Sequence, residues 1–111
     1  MIRLTTPEHI FLFEEDPSAY ARIRITYAQG MNIVLEKEKK DLTIDRETVD
    51  GEEKWTARLR LTQEETKRFL ARDEKVRVQI RALTESGEAL ASEIMAIPIR
   101  DVLNDEVLTC G

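Results

Sequence analysis

Apolar side chains fall on alternate positions on either side of Asp50-Gly51, in Leu42 to Val49 and again in Trp55 to Leu61. After Thr62 the spacing turns helical through Phe69 and Leu70, and alternation resumes in "EKVRVQIRAL" from Glu74. A period of two marks half-buried strands, and a period near 3.6 marks helix. Asp50-Gly51 is a dipeptide favoured in type I′ hairpin loops, where both central residues take positive φ. With those two as the loop, Val49 faces Glu52 and the pairing runs back along both strands; on one side Arg46 faces Trp55, Ile44 faces Ala57 and Leu42 faces Leu59. On the other side Glu47 meets Lys54, Asp45 meets Thr56, Thr43 meets Arg58 and Asp41 meets Arg60. One side is largely apolar and the other carries opposite charges in register; a slip of one residue inverts both.

Two more hairpins follow from the same logic. In "YARIRITYAQGMNIVLEKE" a three-residue loop, Ala28-Gln29-Gly30, pairs Tyr27 with Met31, Ile25 with Ile33 and Ile23 with Leu35. Arg22 then meets Glu36 on the outer side, and Gly30 supplies the left-handed residue that closes such loops. In "VRVQIRALTESGEALASEIMA" the loop Glu85-Ser86-Gly87 pairs Ala82 with Leu90, Ile80 with Ser92 and Val78 with Ile94, and sets Gln79 against Glu93 in water. Beyond Ala96 the parity changes, since Ile97 and Ile99 fall on the other face; with Pro98 between them, this predicts a bulge or a change of sheet.

Thr62 and Glu65 form a capping box, which ends one strand and starts a short helical turn over 62–70, with Phe69 and Leu70 plugging the end of the core. The chain returns as a strand near Glu74. Strand, capped turn and returning strand make a crossover between two packed sheets, the kind found between strands E and F of immunoglobulin-like sandwiches. Adding "IRLTT", "HIFLF" and "IPIRDVL" brings the count to about eight strands. The expected fold is all-β: a two-sheet immunoglobulin-like sandwich of about 7–9 strands. Residues 1–111 read as a single domain, with 101–111 as a C-terminal extension that keeps Val102, Leu103, Val107 and Leu108 apolar.

Composition narrows the function. A net charge of −5 disfavours nucleic acid and anionic membrane as partners. No apolar run approaches the length that spans a bilayer, and the N-terminus lacks the apolar stretch of a signal peptide. Cys110 is the sole cysteine, so no internal disulfide forms. These features read as a cytosolic product, and a protein assembled into a particle would look the same.

Candidate chemistry is sparse. His9 and Cys110 are too ill-matched for a catalytic pair, because a thiol so near the terminus frays. Asp41, Asp45 and Glu47 suggest calcium until Arg60, Thr56 and Lys54 are placed opposite them. There is no phosphate-cradling glycine loop, no paired cysteines and no nucleophile elbow, which points away from an enzyme, a cofactor or a small-molecule substrate. Arg22, Arg24, Arg58, Arg60, Arg77 and Arg81 all take outward strand positions. They are the candidate interaction surface, set against the plainer reading of a solvated face of ion pairs. Trp55 and Tyr27 point with the apolar set, away from any nucleic-acid stacking role.

The stretches "RITYAQG", "IVLEKE", "LTQEETKRFL", "VRVQIRALTESGEALASEI" and "DVL" resemble a group of small proteins encoded in phages and prophages of Gram-positive bacteria, among virion morphogenesis and tail genes. More loosely, the chain is similar to the N-terminal immunoglobulin-like domain of phage baseplate upper proteins. There an "LT" strand, an "EE" turn and a "V-x-V-Q" strand follow in the same order. The resemblance covers Tyr20 to Leu103 and lacks the coiled coil and receptor-binding region of the baseplate proteins. It implies a non-catalytic virion or assembly component that works by contact with other virion proteins or with its own copies. It transfers no functional residues. The rival reading is a free-standing intracellular module that binds a host protein or peptide by edge-strand addition.

Overall fold

In a computed structural model, which describes residues 1–70 and 75–110, eight strands and one helical turn follow one another. They are β1 (Glu8–Phe13), β2 (Arg22–Gln29), β3 (Asn32–Glu38), β4 (Thr43–Val49), β5 (Glu52–Arg60), α1 (Gln63–Lys67), β6 (Val76–Leu83), β7 (Ala89–Ala91) and β8 (Met95–Ile97). One antiparallel sheet has the order β1-β5-β4; the other runs β3-β2-β6-β7, with β8 also pairing β6. The hairpins and the β7–β8 step stay within a sheet while β1–β2, β3–β4 and β5–β6 cross between sheets, which is the B-E-D and C′-C-F-G arrangement of an immunoglobulin-like sandwich.

The β4–β5 hairpin has the register the charge pattern dictates, from Thr43 opposite Arg58 to Val49 opposite Glu52. Asp50 and Gly51 both take positive φ, at 52° and 80°. The pairing stops at Thr43, short of the expected Leu42–Leu59 and Asp41–Arg60 pairs. Lys39–Asp41 form a 3-10 turn instead, in which the Asp41 carboxylate accepts from the Glu38 amide at 2.9 Å.

The β2–β3 hairpin corrects the expected register. Its loop is Gly30-Met31, so that Gln29 faces Asn32 and Ala28 faces Ile33. Val34 is then an extra residue, and past this bulge Tyr27 meets Leu35 and Ile25 meets Lys37. Met31 and Ile33 are therefore 98% and 63% exposed, whereas simple alternation put them in the core. The bulge lets Leu35 face Tyr27 while Glu36 and Glu38 stay outside beside Arg24. Arg22 accordingly sits near Glu38, at 3.6 Å, in place of the expected Glu36.

In the third hairpin Ala82 faces Leu90 as expected, and Gly87 has φ of 92°. The Ser92 amide donates to Ile80 O at 2.8 Å, but the parity changes before Met95, earlier than Ala96. The cause is Ser92, whose hydroxyl accepts from the Ile80 amide at 3.0 Å and replaces a ladder bond. Gln79 correspondingly donates to Ser92 O at 3.1 Å. Val78 therefore meets Met95 in place of Ile94, and Ile97 comes to face Val76. Of the expected strand "IRLTT" only a parallel bridge remains, Ile2 to Arg100.

The core lies between the sheets. Phe11, Ala57, Leu59 and Leu61 meet Ile23, Ile25, Tyr27, Leu35, Val76, Val78 and Ile80. Each large apolar side chain so buried contributes about 1.5–3 kcal/mol. Phe69 closes one end with no exposed surface, but Leu70 is 54% exposed and does not join it. The expected strand start at Glu74 lies outside the described residues.

α1 is capped as its sequence dictates. The Thr62 hydroxyl accepts from the Glu65 amide at 3.1 Å, and the Glu65 carboxylate accepts from the Thr62 amide at 2.9 Å. Other polar contacts tie this turn to the five-stranded sheet and the N-terminal segment. Lys37 pairs with Glu65, and the buried Gln29 amide exchanges two bonds with the Leu70 backbone at 2.8 and 2.7 Å. The Thr66 hydroxyl donates to Thr5 O at 3.0 Å.

Candidate interaction surfaces

Residues on alternate positions of a strand share a face, so the outer arginines sort by strand. Arg58 and Arg60 stand on β5, outside the three-stranded sheet, while Arg22 and Arg24 on β2 and Arg77 and Arg81 on β6 stand outside the other sheet. The six arginines expected to share one surface thus occupy two.

On the three-stranded sheet both are tied down. Arg58 donates to both Glu47 oxygens at 2.6 and 2.7 Å and to Glu8 at 2.7 Å. Arg60 donates to Thr6 O at 2.9 Å and to Glu8 at 3.2 Å. Hydrogen bonds from Arg58 hold the Glu8 and Glu47 carboxyls below their ordinary pKa. Lys54, expected opposite Glu47, turns to Glu14 and Glu52. These arginines bind the sheet's own strands. Arg58→Glu combined with Arg60→Glu places like charges together, and a thermal melt will show a lowered midpoint with no change in oligomeric state.

The five-stranded sheet differs. Arg24 lies directly across from Arg81, a like-charge pairing that costs stability. Arg24 is neutralised from β3, donating to Glu38 at 2.9 Å with Glu36 at 3.6 Å. Arg77 donates to Gly30 O. Arg81 has no hydrogen bond or ion pair among the described residues, and its neighbour on β7 is Ala91. Arg22, Arg24 and Arg81 line a groove with Ala82, Leu83 and Ala89. It encloses about 170 Å³, less than the roughly 300–1,000 Å³ of small-molecule sites, and suits a single side chain. Across β2, β6 and β3 this face brings four arginines against two glutamates, on a chain whose net charge is −5.

His9 proves more than an edge-strand histidine. It points inward from β1, and its Nδ1 lies 2.6 Å from the Tyr27 hydroxyl with the rings stacked 5.6 Å apart. Burial, helped by the positive N-terminus, lowers the His9 pKa, and burial together with the Glu65 charge raises that of Tyr27. Both therefore remain neutral, as a structural pair. The alternation of "HIFLF" carried the signal, since His9 shares its parity with Phe11 and Phe13. Because folded His9 resists the proton that an unfolded histidine accepts near about pH 6.5, stability falls as pH drops below that value and on through the folded pKa. Urea midpoints between pH 7.5 and 5.5 will fall in the native chain and change much less in His9→Gln.

Among the described residues no cluster of His, Cys, Asp and Glu is fit to hold a metal ion, and no helix is long and apolar enough to cross a membrane. Cys110 is exposed. The C-terminal extension is held at its start by the Arg3–Asp101 ion pair at 2.6 Å and farther on by the Gln63 amide, which exchanges two 2.9 Å bonds with the Leu108 backbone, leaving the Leu103 and Leu108 side chains in solvent. No family model, curated protein or solved structure matches the chain.

Proposed function

We propose that this chain is a non-catalytic contact protein, an assembly or virion component of a phage-derived particle, which joins a neighbouring protein through the outer face of its five-stranded sheet. The particle setting rests on the resemblance to small phage and prophage proteins. The choice of face rests on one observation, Arg81 held opposite Arg24 without a carboxylate of its own among the described residues. Arg58 and Arg60, by contrast, are neutralised within their own sheet. An uncompensated arginine on a central strand is a local cost that a partner's carboxylate would offset, since charged pairs across an interface guide association and fix register. Arginine suits this role because its planar fork binds carboxylates bidentately.

The test is Arg81→Glu. It relieves the repulsion with Arg24, so the thermal midpoint should hold or rise, while complex formation with the proteins encoded by flanking genes should be lost in size exclusion with light scattering. A lowered midpoint with intact complexes would overturn the choice of face. A gene neighbourhood without capsid or tail genes would count against the particle and leave the contact face standing.

A further inference from the structure

We infer that the free edge of β1 takes up an additional antiparallel strand, an extended apolar segment of another protein with basic residues on its N-terminal side. The Leu61 amide donates to Pro7 O at 3.0 Å, which makes Pro7 and Leu61 a hydrogen-bonded pair. Such pairs alternate along an antiparallel ladder, so His9–Leu59, Phe11–Ala57 and Phe13–Trp55 follow. Glu8, Ile10 and Leu12 therefore turn their N–H and C=O groups away from β5, and among the described residues β1 pairs with no other strand. The segment ahead of β1 does not cover them, because Met1 to Arg3 bond to Arg100 beside the other sheet.

Edge strands are usually guarded by charge, proline or a bulge. β4 carries Asp45, Arg46 and Glu47, and β3 carries a bulge and the inward Lys37. β1 has neither device from Ile10 to Phe13, and Ile10 and Leu12 are 50% and 55% exposed. A row of free backbone donors and acceptors is complementary to extended backbone, which makes the occupant a strand. Its alternate side chains would lie beside Ile10 and Leu12. β1 runs into Glu14, Glu15 and Asp16; the Glu14 side chain is 88% exposed and shares Lys54 with Glu52, Asp16 accepts from Ser18, and Glu15 is exposed with no ion pair among the described residues. An antiparallel strand enters at that end, so its N-terminal flank meets the carboxylates, and lysine or arginine complements them.

The probe is the peptide KKVTVTV, added to the ¹⁵N-labelled chain. Amide shifts and slowed hydrogen exchange should appear at Ile10 and Leu12. Affinity should fall about tenfold for EEVTVTV, and binding should vanish when alternate peptide amides are N-methylated, which tests backbone pairing without altering the protein. Leu12→Pro removes an outward N–H and should abolish binding with β1 still formed. No shift at millimolar peptide, or shifts confined to the arginine face, would overturn the proposal. So would exchange protection that grows with protein concentration in the absence of peptide, which would assign the edge to a second copy. Arg81→Glu should leave peptide binding unchanged, so this proposal and the arginine face fail independently.

Discussion

Phe69→Ala should destabilise the fold by about 3–5 kcal/mol, the usual cost of emptying a buried phenylalanine site. Phe69 has no exposed surface and meets Tyr27 edge-on, with ring centroids 6.0 Å apart at 62°. It is also the apolar anchor of the crossover between the sheets. α1 spans only Gln63–Lys67, far too short to persist on its own, so packing and caps hold it. Without the ring, neither α1 nor the Tyr27 side of the core retains its packing. Urea unfolding at pH 7 measures the loss, and a change below about 1 kcal/mol would mean that the turn is not an element of the core.

Glu65→Ala should cost about 2–4 kcal/mol, because it leaves Lys37 unpaired in a largely buried site and removes half of the capping box. The Lys37 and Glu65 side chains retain only 18% and 12% of their exposure. Burial pushes the Glu65 pKa up, but the Lys37 ammonium and the Thr62 amide and hydroxyl outweigh it, and the net value lies below the ordinary one. This stabilisation is therefore complete above the ordinary carboxylate range and is lost as pH falls through the lowered folded value. Glu65→Gln keeps an acceptor for the Thr62 amide, so it should fall between the wild type and Glu65→Ala in the same urea series. Equal midpoints for all three would refute the ion pair.

How far the sequence reached depended on whether its signals were local. The β4–β5 register was legible because Asp50-Gly51 set the loop and charge alternation on both strands agreed with it. The capping box was legible because Thr62 and Glu65 are three residues apart. Bulges were not legible. Val34 and the Ser92–Met95 step each add one residue for reasons that lie on other strands: Leu35 must face Tyr27, and Ser92 takes a ladder bond from Ile80. Strict alternation across those points put Met31, Ile33 and Ile94 inside, where none of them lies. The outward direction of the arginines could be read from parity, but their division between two faces needed the strand order. The vacancy at β1 likewise depends on where the N-terminal segment bonds.

Arginine side-chain NMR tests the central claim most directly, through the ¹⁵Nε resonances followed while hexaglutamate is added at low salt. Arg81 should shift saturably, while Arg24, whose Nε is already engaged by Glu38, and Arg58 and Arg60, engaged by Glu8 and Glu47, stay fixed. Silence at Arg81, or equal movement of all four, would contradict the assignment of a binding face to the five-stranded sheet.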